Sequence, residues 1–84
     1  MEPSQIKDLI ETALPGSQAR VRGDGSHFDA LVISPAFEGK TMLQEQKMVY
    51  AAVKDRITSG EIHALSIKAY TPEEWEKSGE LNVL

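Results

Sequence analysis

The segment from Ile62 to Trp75 constrains the fold most, because a strand pattern runs directly into a helix start within it. One side of the predicted strand carries His63, Leu65, Ile67 and Ala69, and the other carries Ala64, Ser66, Lys68 and Tyr70. The next four residues, 71 to 74, have a strong helix-start signature, with Thr71 as the cap and Pro72 as the first helical residue. The segment therefore predicts a strand that begins at a histidine, followed by a short helix that Trp75 packs onto a sheet.

Upstream, the spacing of apolar residues predicts one helix and one hairpin. A helix over residues 4 to 14 is predicted from a single apolar face, formed by Ile6, Leu9, Ile10, Ala13 and Leu14. Residues 19 to 22 alternate as a half-buried strand does, and residues 27 to 34 are rich in strand formers. The glycine-containing turn at residues 23 to 26 joins the two strands into a hairpin.

A long helix is predicted between the hairpin and the last strand. Residues 35 to 37 form a short helical turn, Thr41 caps the long helix, and the helix ends near Ile57 before Ser59 and Gly60. The residues predicted to lie on or beside its inner stripe are Met42, Leu43, Val49, Tyr50, Val53 and Ile57.

The predicted order is helix, strand, strand, short helical turn, long helix, strand, short helix. A right-handed crossover through the long helix places the third strand parallel to the second. We therefore predict an α+β fold, a two-layer α/β sandwich with helices on one face of a three-stranded mixed sheet. The 84 residues are expected to form a single domain, 1–84.

Composition narrows the classes of function. The formal net charge is −4, which argues mildly against a protein that neutralises phosphates. No apolar run approaches the ~20 residues needed to span a bilayer, and residues 1 to 5 lack the basic and apolar features of a signal peptide. The chain is thus expected to be cytoplasmic, with no membrane association. Since no nucleophile-base signature appears, we do not expect an enzyme.

The chain contains no cysteine and two histidines, His27 and His63. Any soft-metal chemistry must pass through these imidazoles, and any thiolate must come from another molecule. A 2Fe-2S cluster needs four ligands, so this chain could hold one only together with a thiol-bearing partner. Imidazole must be neutral to bind, so ligation should weaken as pH falls through roughly 6.5. The structural alternatives are a hydrogen-bonded core histidine at His63 and a solvated loop histidine at His27.

Several segments, taken in order, resemble those of the BolA family. They are Gly23–Phe28, Phe37–Lys40, the Val49-Tyr50 pair, His63–Lys68 and Tyr70–Pro72. The resemblance runs from about residue 4 to residue 75, and the compact chain most resembles the short acid-stress branch found in bacteria. It implies a fold like that of the class II KH domain, in agreement with the predicted element order.

The resemblance also implies a partner and a cofactor. BolA-like proteins pair with monothiol glutaredoxins and share a 2Fe-2S cluster with them. The isolated chain is therefore expected to bind no cluster by itself. The family's signature histidine maps to His63, and the variable loop ligand maps to His27. The remaining ligands would be the glutaredoxin cysteine and the cysteine of bound glutathione. The resemblance thus implies a role in iron-sulfur cluster assembly or trafficking, or in iron or acid-stress regulation.

Two other functions remain open. KH-like folds bind single-stranded nucleic acid through a Gly-x-x-Gly loop, but residues 39 to 42 lack the second glycine. The family's basic cluster is also replaced by Glu-Gln-Lys at residues 45 to 47. The candidate nucleic-acid contacts are Lys40, Lys47, Lys54 and Arg56. The third possibility is an interaction module that docks on glutaredoxin without metal.

Overall fold

The structure is a computed structural model that describes residues 1–77. The helices are α1 (Pro3–Ala13), α2 (Met42–Thr58) and α3 (Pro72–Lys77), and a 3₁₀ turn spans Pro35–Phe37. The strands are β1 (Gln18–Gly23), β2 (His27–Ile33) and β3 (Ala64–Tyr70). This order confirms the predicted fold class.

The strands form one mixed sheet in the order β1-β2-β3. β1 pairs antiparallel with β2 from Gln18 opposite Ile33 to Gly23 opposite Phe28. β2 pairs parallel with β3, starting with His27 opposite Ala64. α2 makes the crossover between the two parallel strands, as the sequence predicted.

The main core lies between the sheet and the first two helices. α1 contributes Ile6 and Ile10, and α2 contributes Val49 and Val53, all of which are buried. The sheet side of this core consists of Ala19, Phe28, Ala30, Val32 and Leu65. Phe37 from the 3₁₀ turn is also buried here. Full burial of such an apolar side chain stabilises a fold by ~1.5–3 kcal/mol.

Trp75 packs α3 onto the sheet, as predicted, but against the face opposite α1 and α2, so the prediction that the helices share one face was wrong. Its ring centroid lies 5.5 Å from that of Tyr70, and the guanidinium of Arg20 lies 5.4 Å from its centre. In the strand register Arg20 lies opposite Leu31, and Tyr70 lies opposite Ile33. Because side chains alternate along a strand, all four point away from the main core. Leu31 and Ile33 are nevertheless buried, so both sheet faces have apolar side chains shielded from water.

The six residues predicted on or beside the inner stripe of α2 divide into two that are buried and four that are exposed. Only Val49 and Val53 are buried, whereas Met42 and Leu43 are 76% and 64% exposed. Tyr50 and Ile57, at 39% and 37% exposed, also lie toward solvent. Periodicity identifies the side of a helix, but it does not reveal how far the neighbouring elements extend along it.

Candidate metal centre

The two histidines meet at one end of the sheet. His27 is the first residue of β2, and its register partner is Ala64, so His63 lies just before the paired region of β3. The centroids of the His27 and His63 rings are 6.2 Å apart, with their planes at 83°. Both residues are exposed. The fold therefore places two imidazoles side by side on the surface, although they come from distant parts of the chain.

His63 does not belong to the buried side of the last strand, and this corrects the prediction. The strand begins at Ala64, because β2 starts at His27 and offers no earlier residue for His63 to pair with. The amide of His63 instead donates to the carbonyl of Ser26, at 2.8 Å. Its exposure also overturns the alternative of a core histidine.

The loop between β1 and β2 is organised by Asp24. Its Oδ1 accepts hydrogen bonds from the backbone amides of His27 at 2.9 Å and Ser26 at 3.1 Å. These bonds hold the pKa of the Asp24 carboxyl below its ordinary value of 3.8. Gly25, with φ of +107°, completes the turn in a conformation that favours glycine. The backbone that carries His27 is therefore fixed by a local carboxylate.

Gly23 is needed for a different reason, because neighbouring atoms lie too close to it for a side chain. A Cβ atom at this position would collide with the Phe28 ring and with the His27 carbonyl oxygen. Phe28 is buried in the main core, so its ring cannot easily move away. The glycine thus lets the hairpin close tightly behind His27.

Ser26 contacts both histidines. Its carbonyl accepts from the amides of His63 at 2.8 Å and Ala64 at 3.2 Å. Its hydroxyl oxygen lies 3.1 Å from Nδ1 of the His27 ring. Sequence reasoning assigned Asp24 and Ser26 only to a turn. The signal that could have found their role is the Asp-x-Ser-His order, since an aspartate in a turn commonly accepts from amides two and three residues on.

The donor set fits part of an iron-sulfur site. Two histidines can replace two cysteines on one iron of a 2Fe-2S cluster, and both imidazoles are accessible to an outside group. Among residues 1–77, no group of three or more histidine, aspartate or glutamate side chains is arranged to hold a metal ion. The ligand roles of His27 and His63 remain predictions.

The four candidate nucleic-acid contacts are divided between two places. Lys47 and Lys54 line a groove of about 340 Å³ on the outer side of α2. Lys40 and Lys47 line a neighbouring depression of about 260 Å³. Arg56 instead pairs with Glu61 at 3.1 Å and lines a groove between α1 and α2. The structure thus brings three of the four cations onto one surface.

None of the helices described within residues 1–77 is long and apolar enough to cross a membrane.

A family model described as "BolA-like protein" matches residues 5–74 of this chain. The chain belongs to the BolA family. The acid stress protein IbaG of Escherichia coli strain K12 is 39% identical over 82 residues, covering 98% of both chains. This confirms the resemblance to the acid-stress branch, and the matched range agrees with the predicted extent of 4 to 75.

Solved BolA structures support the fold. The chain superimposes on a bolA protein homologue from Coxiella burnetii with a TM-score of 0.83 at 45% identity, covering 90% of this chain and 97% of that one. It also matches the BolA domain of SufE1 from Arabidopsis thaliana, with a TM-score of 0.76 at 30% identity and coverages of 86% and 93%. The histidine pair thus lies on a BolA fold in a homologue of an acid stress protein.

Proposed function

We propose that this BolA-family chain is a non-enzymatic partner of a monothiol glutaredoxin and shares a 2Fe-2S cluster with it through His63 and His27. The observation that carries the proposal is the pair of exposed rings, 6.2 Å apart, on a surface that a partner can reach. Homology to an acid stress protein supports a role in stress-linked cluster assembly, trafficking or regulation.

The chain's own part is to present two ring nitrogens from a fixed backbone. Ser26 and Asp24 hold the segments that carry His63 and His27. Because the chain has no cysteine, the two sulfur ligands would come from the glutaredoxin cysteine and from bound glutathione. When bound, the cluster supplies an iron-sulfur unit whose reduction potential is raised by histidine ligation relative to all-thiolate ligation.

The test is anaerobic co-purification of the chain with the monothiol glutaredoxin of its host, followed by reconstitution with iron, sulfide and glutathione. We expect a visible chromophore from the heterocomplex. His63→Ala should bleach or markedly destabilise it, and His27→Ala should weaken it. Ser66→Ala is the matched control, because Ser66 is exposed on β3 and faces away from the main core.

Two results would contradict the proposal. One is an unchanged spectrum in the His63→Ala complex, which would remove this residue as a ligand. The other is a stable heterocomplex that never develops a chromophore, with His63→Ala binding the apo partner as well as the wild type. That second outcome would favour an interaction module that works without metal.

Nucleic-acid binding is a second candidate, favoured by the surface formed by Lys40, Lys47 and Lys54. None of these lysines makes an ion pair within residues 1–77, so their charges are available to phosphates. If they bind single strands, log affinity should fall with log salt at a slope of about −0.7 per neutralised phosphate. The double variant Lys40→Ala, Lys47→Ala should flatten that slope. Lys68→Ala, on the opposite sheet face, should leave it unchanged.

A further inference from the structure

We infer that Ser26 and Asp24 are positioning residues of this centre, linked to the His27 ring by a hydrogen-bond relay that leaves Nε2 of His27 to bind metal. The metal-binding role of this relay rests on the proposed function. The relay itself is a property of the isolated chain and can be tested there.

Three distances define the relay. The Ser26 hydroxyl oxygen is 3.1 Å from Nδ1 of His27 and makes a long hydrogen bond of 3.5 Å to Oδ1 of Asp24. Nδ1 of His27 is 3.8 Å from the same Asp24 oxygen, too far for a direct hydrogen bond. The hydroxyl of Ser26 therefore lies between the ring and the carboxylate.

The direction of the relay follows from what each group can donate. A carboxylate only accepts, whereas a serine hydroxyl has one proton to donate and lone pairs with which to accept. The stronger acceptor is the charged oxygen of Asp24, so the Ser26 hydroxyl donates to it. The hydroxyl then accepts from Nδ1–H of His27. In this tautomer the proton is on Nδ1 and the free lone pair is on Nε2.

Ser26 also holds the backbone of the second histidine. Its carbonyl accepts from the His63 amide at 2.8 Å, so the residue that orients one ring also anchors the segment carrying the other. Histidines that bind metal almost always donate their second ring N–H to a nearby acceptor, which fixes the tautomer and the ring orientation. Ser26 provides that acceptor for His27.

The decisive measurement is the ¹⁵N NMR spectrum of the imidazoles in the isolated full chain at a pH of about 8, where an ordinary imidazole is neutral. We expect His27 to show a protonated Nδ1 and a bare Nε2. In water, free histidine prefers the opposite tautomer. Within residues 1–77 the His63 ring makes no hydrogen bond, so it serves as an internal reference in the ordinary form.

Variants separate orientation from folding. Ser26→Ala removes the hydroxyl but keeps the carbonyl that binds His63, and should return His27 to the ordinary tautomer. Asp24→Asn keeps an oxygen for the backbone amides but loses the charged acceptor, and should shift the tautomer in the same direction. Ser66→Ala should change neither ring. A wild-type His27 with its proton on Nε2, or a Ser26→Ala spectrum identical to the wild type, would overturn the relay.

The heterocomplex supplies the second readout. Ser26→Ala should still form the chromophore but bind the cluster roughly 10–100-fold more weakly, the usual effect of losing such a partner. An unchanged cluster lifetime in Ser26→Ala would overturn the positioning role while leaving the proposed function intact. If the wild type forms no chromophore while the NMR shows the expected tautomer, the proposed function fails and the relay stands.

Discussion

The hydroxyl of Tyr50 donates a hydrogen bond of 2.9 Å to the carbonyl of Leu65. Gln46, one turn earlier on α2, donates to the carbonyl of Ile67 at 3.1 Å. β3 is an edge strand, and the carbonyls of residues two apart point to the same side of a strand. Within residues 1–77 no neighbouring strand takes these acceptors, so the two side chains of α2 occupy them and protect the edge from pairing with another chain.

Replacing Tyr50 with phenylalanine should lower the free energy of unfolding by about 1 kcal/mol, because the Leu65 carbonyl loses its partner while the ring is retained. Denaturant unfolding followed by circular dichroism measures the change. Tyr70→Phe is the control, since no hydrogen bond of the Tyr70 hydroxyl is present within residues 1–77. Equal unfolding midpoints for the two variants would contradict the assigned role of Tyr50.

Protonation of Glu11 should lower the free energy of unfolding in acid. Its carboxylate accepts from Lys7 and from the Ala19 amide, and these bonds hold its pKa below the ordinary value of 4.5. A lowered folded-state pKa means stabilisation that is present above pH 4.5 and is lost as pH falls through the folded-state pKa. Because both side chains are partly exposed, Glu11→Gln should cost only about 0.5–1 kcal/mol at pH 7.

The check on Glu11 is the pH dependence of unfolding. The loss caused by Glu11→Gln should shrink toward zero in acid, where the wild-type carboxylate is itself protonated. A constant difference between pH 7 and pH 3 would show that the charge of Glu11 does not contribute.

The charge of Glu45 has the opposite effect on stability from that of Glu11, because it destabilises the folded chain. Its partial burial on α2 and the nearby Glu74 raise the pKa of its carboxyl above 4.5, so the folded state disfavours the charged form. Glu45→Gln should therefore raise the free energy of unfolding at pH 7 by a few tenths of a kcal/mol, roughly the size of a surface charge interaction. The gain should shrink as pH falls through the raised pKa of Glu45 and be lost below its ordinary value of 4.5. Glu76→Gln, at an exposed position of α3, should show no such gain.

Gly23→Ala should destabilise the chain by about 1–3 kcal/mol, because the new methyl group overlaps the Phe28 ring and the His27 carbonyl. Among the described residues, the new methyl group of Gly25→Ala meets nothing within 4 Å, so this variant should cost only about 1 kcal/mol, from its left-handed backbone. Thermal unfolding ranks the two variants. A milder effect at Gly23 than at Gly25 would show that the hairpin closes less tightly than described.

Most of the fold could be predicted because its signals are local. Thr41 and Thr71 both form the side-chain hydrogen bonds expected of helix caps. Alternation along β2 and the crossover rule predicted the mixed sheet. The exposure of Tyr50 and His63 could not be obtained in this way, since it depends on where neighbouring elements end. The meeting of Ser26 with His63 depends on a parallel register that no single segment encodes.

The His27–His63 pairing has a consequence for the order of events in the cell. One ring is presented by the hairpin, and the other arrives only after the crossover helix has carried the chain back alongside it. In a chain that is unfinished or locally unfolded, the two imidazole rings are not held close together. If the two histidines bind the proposed cluster together, loading it with iron and sulfur requires a chain that has finished folding.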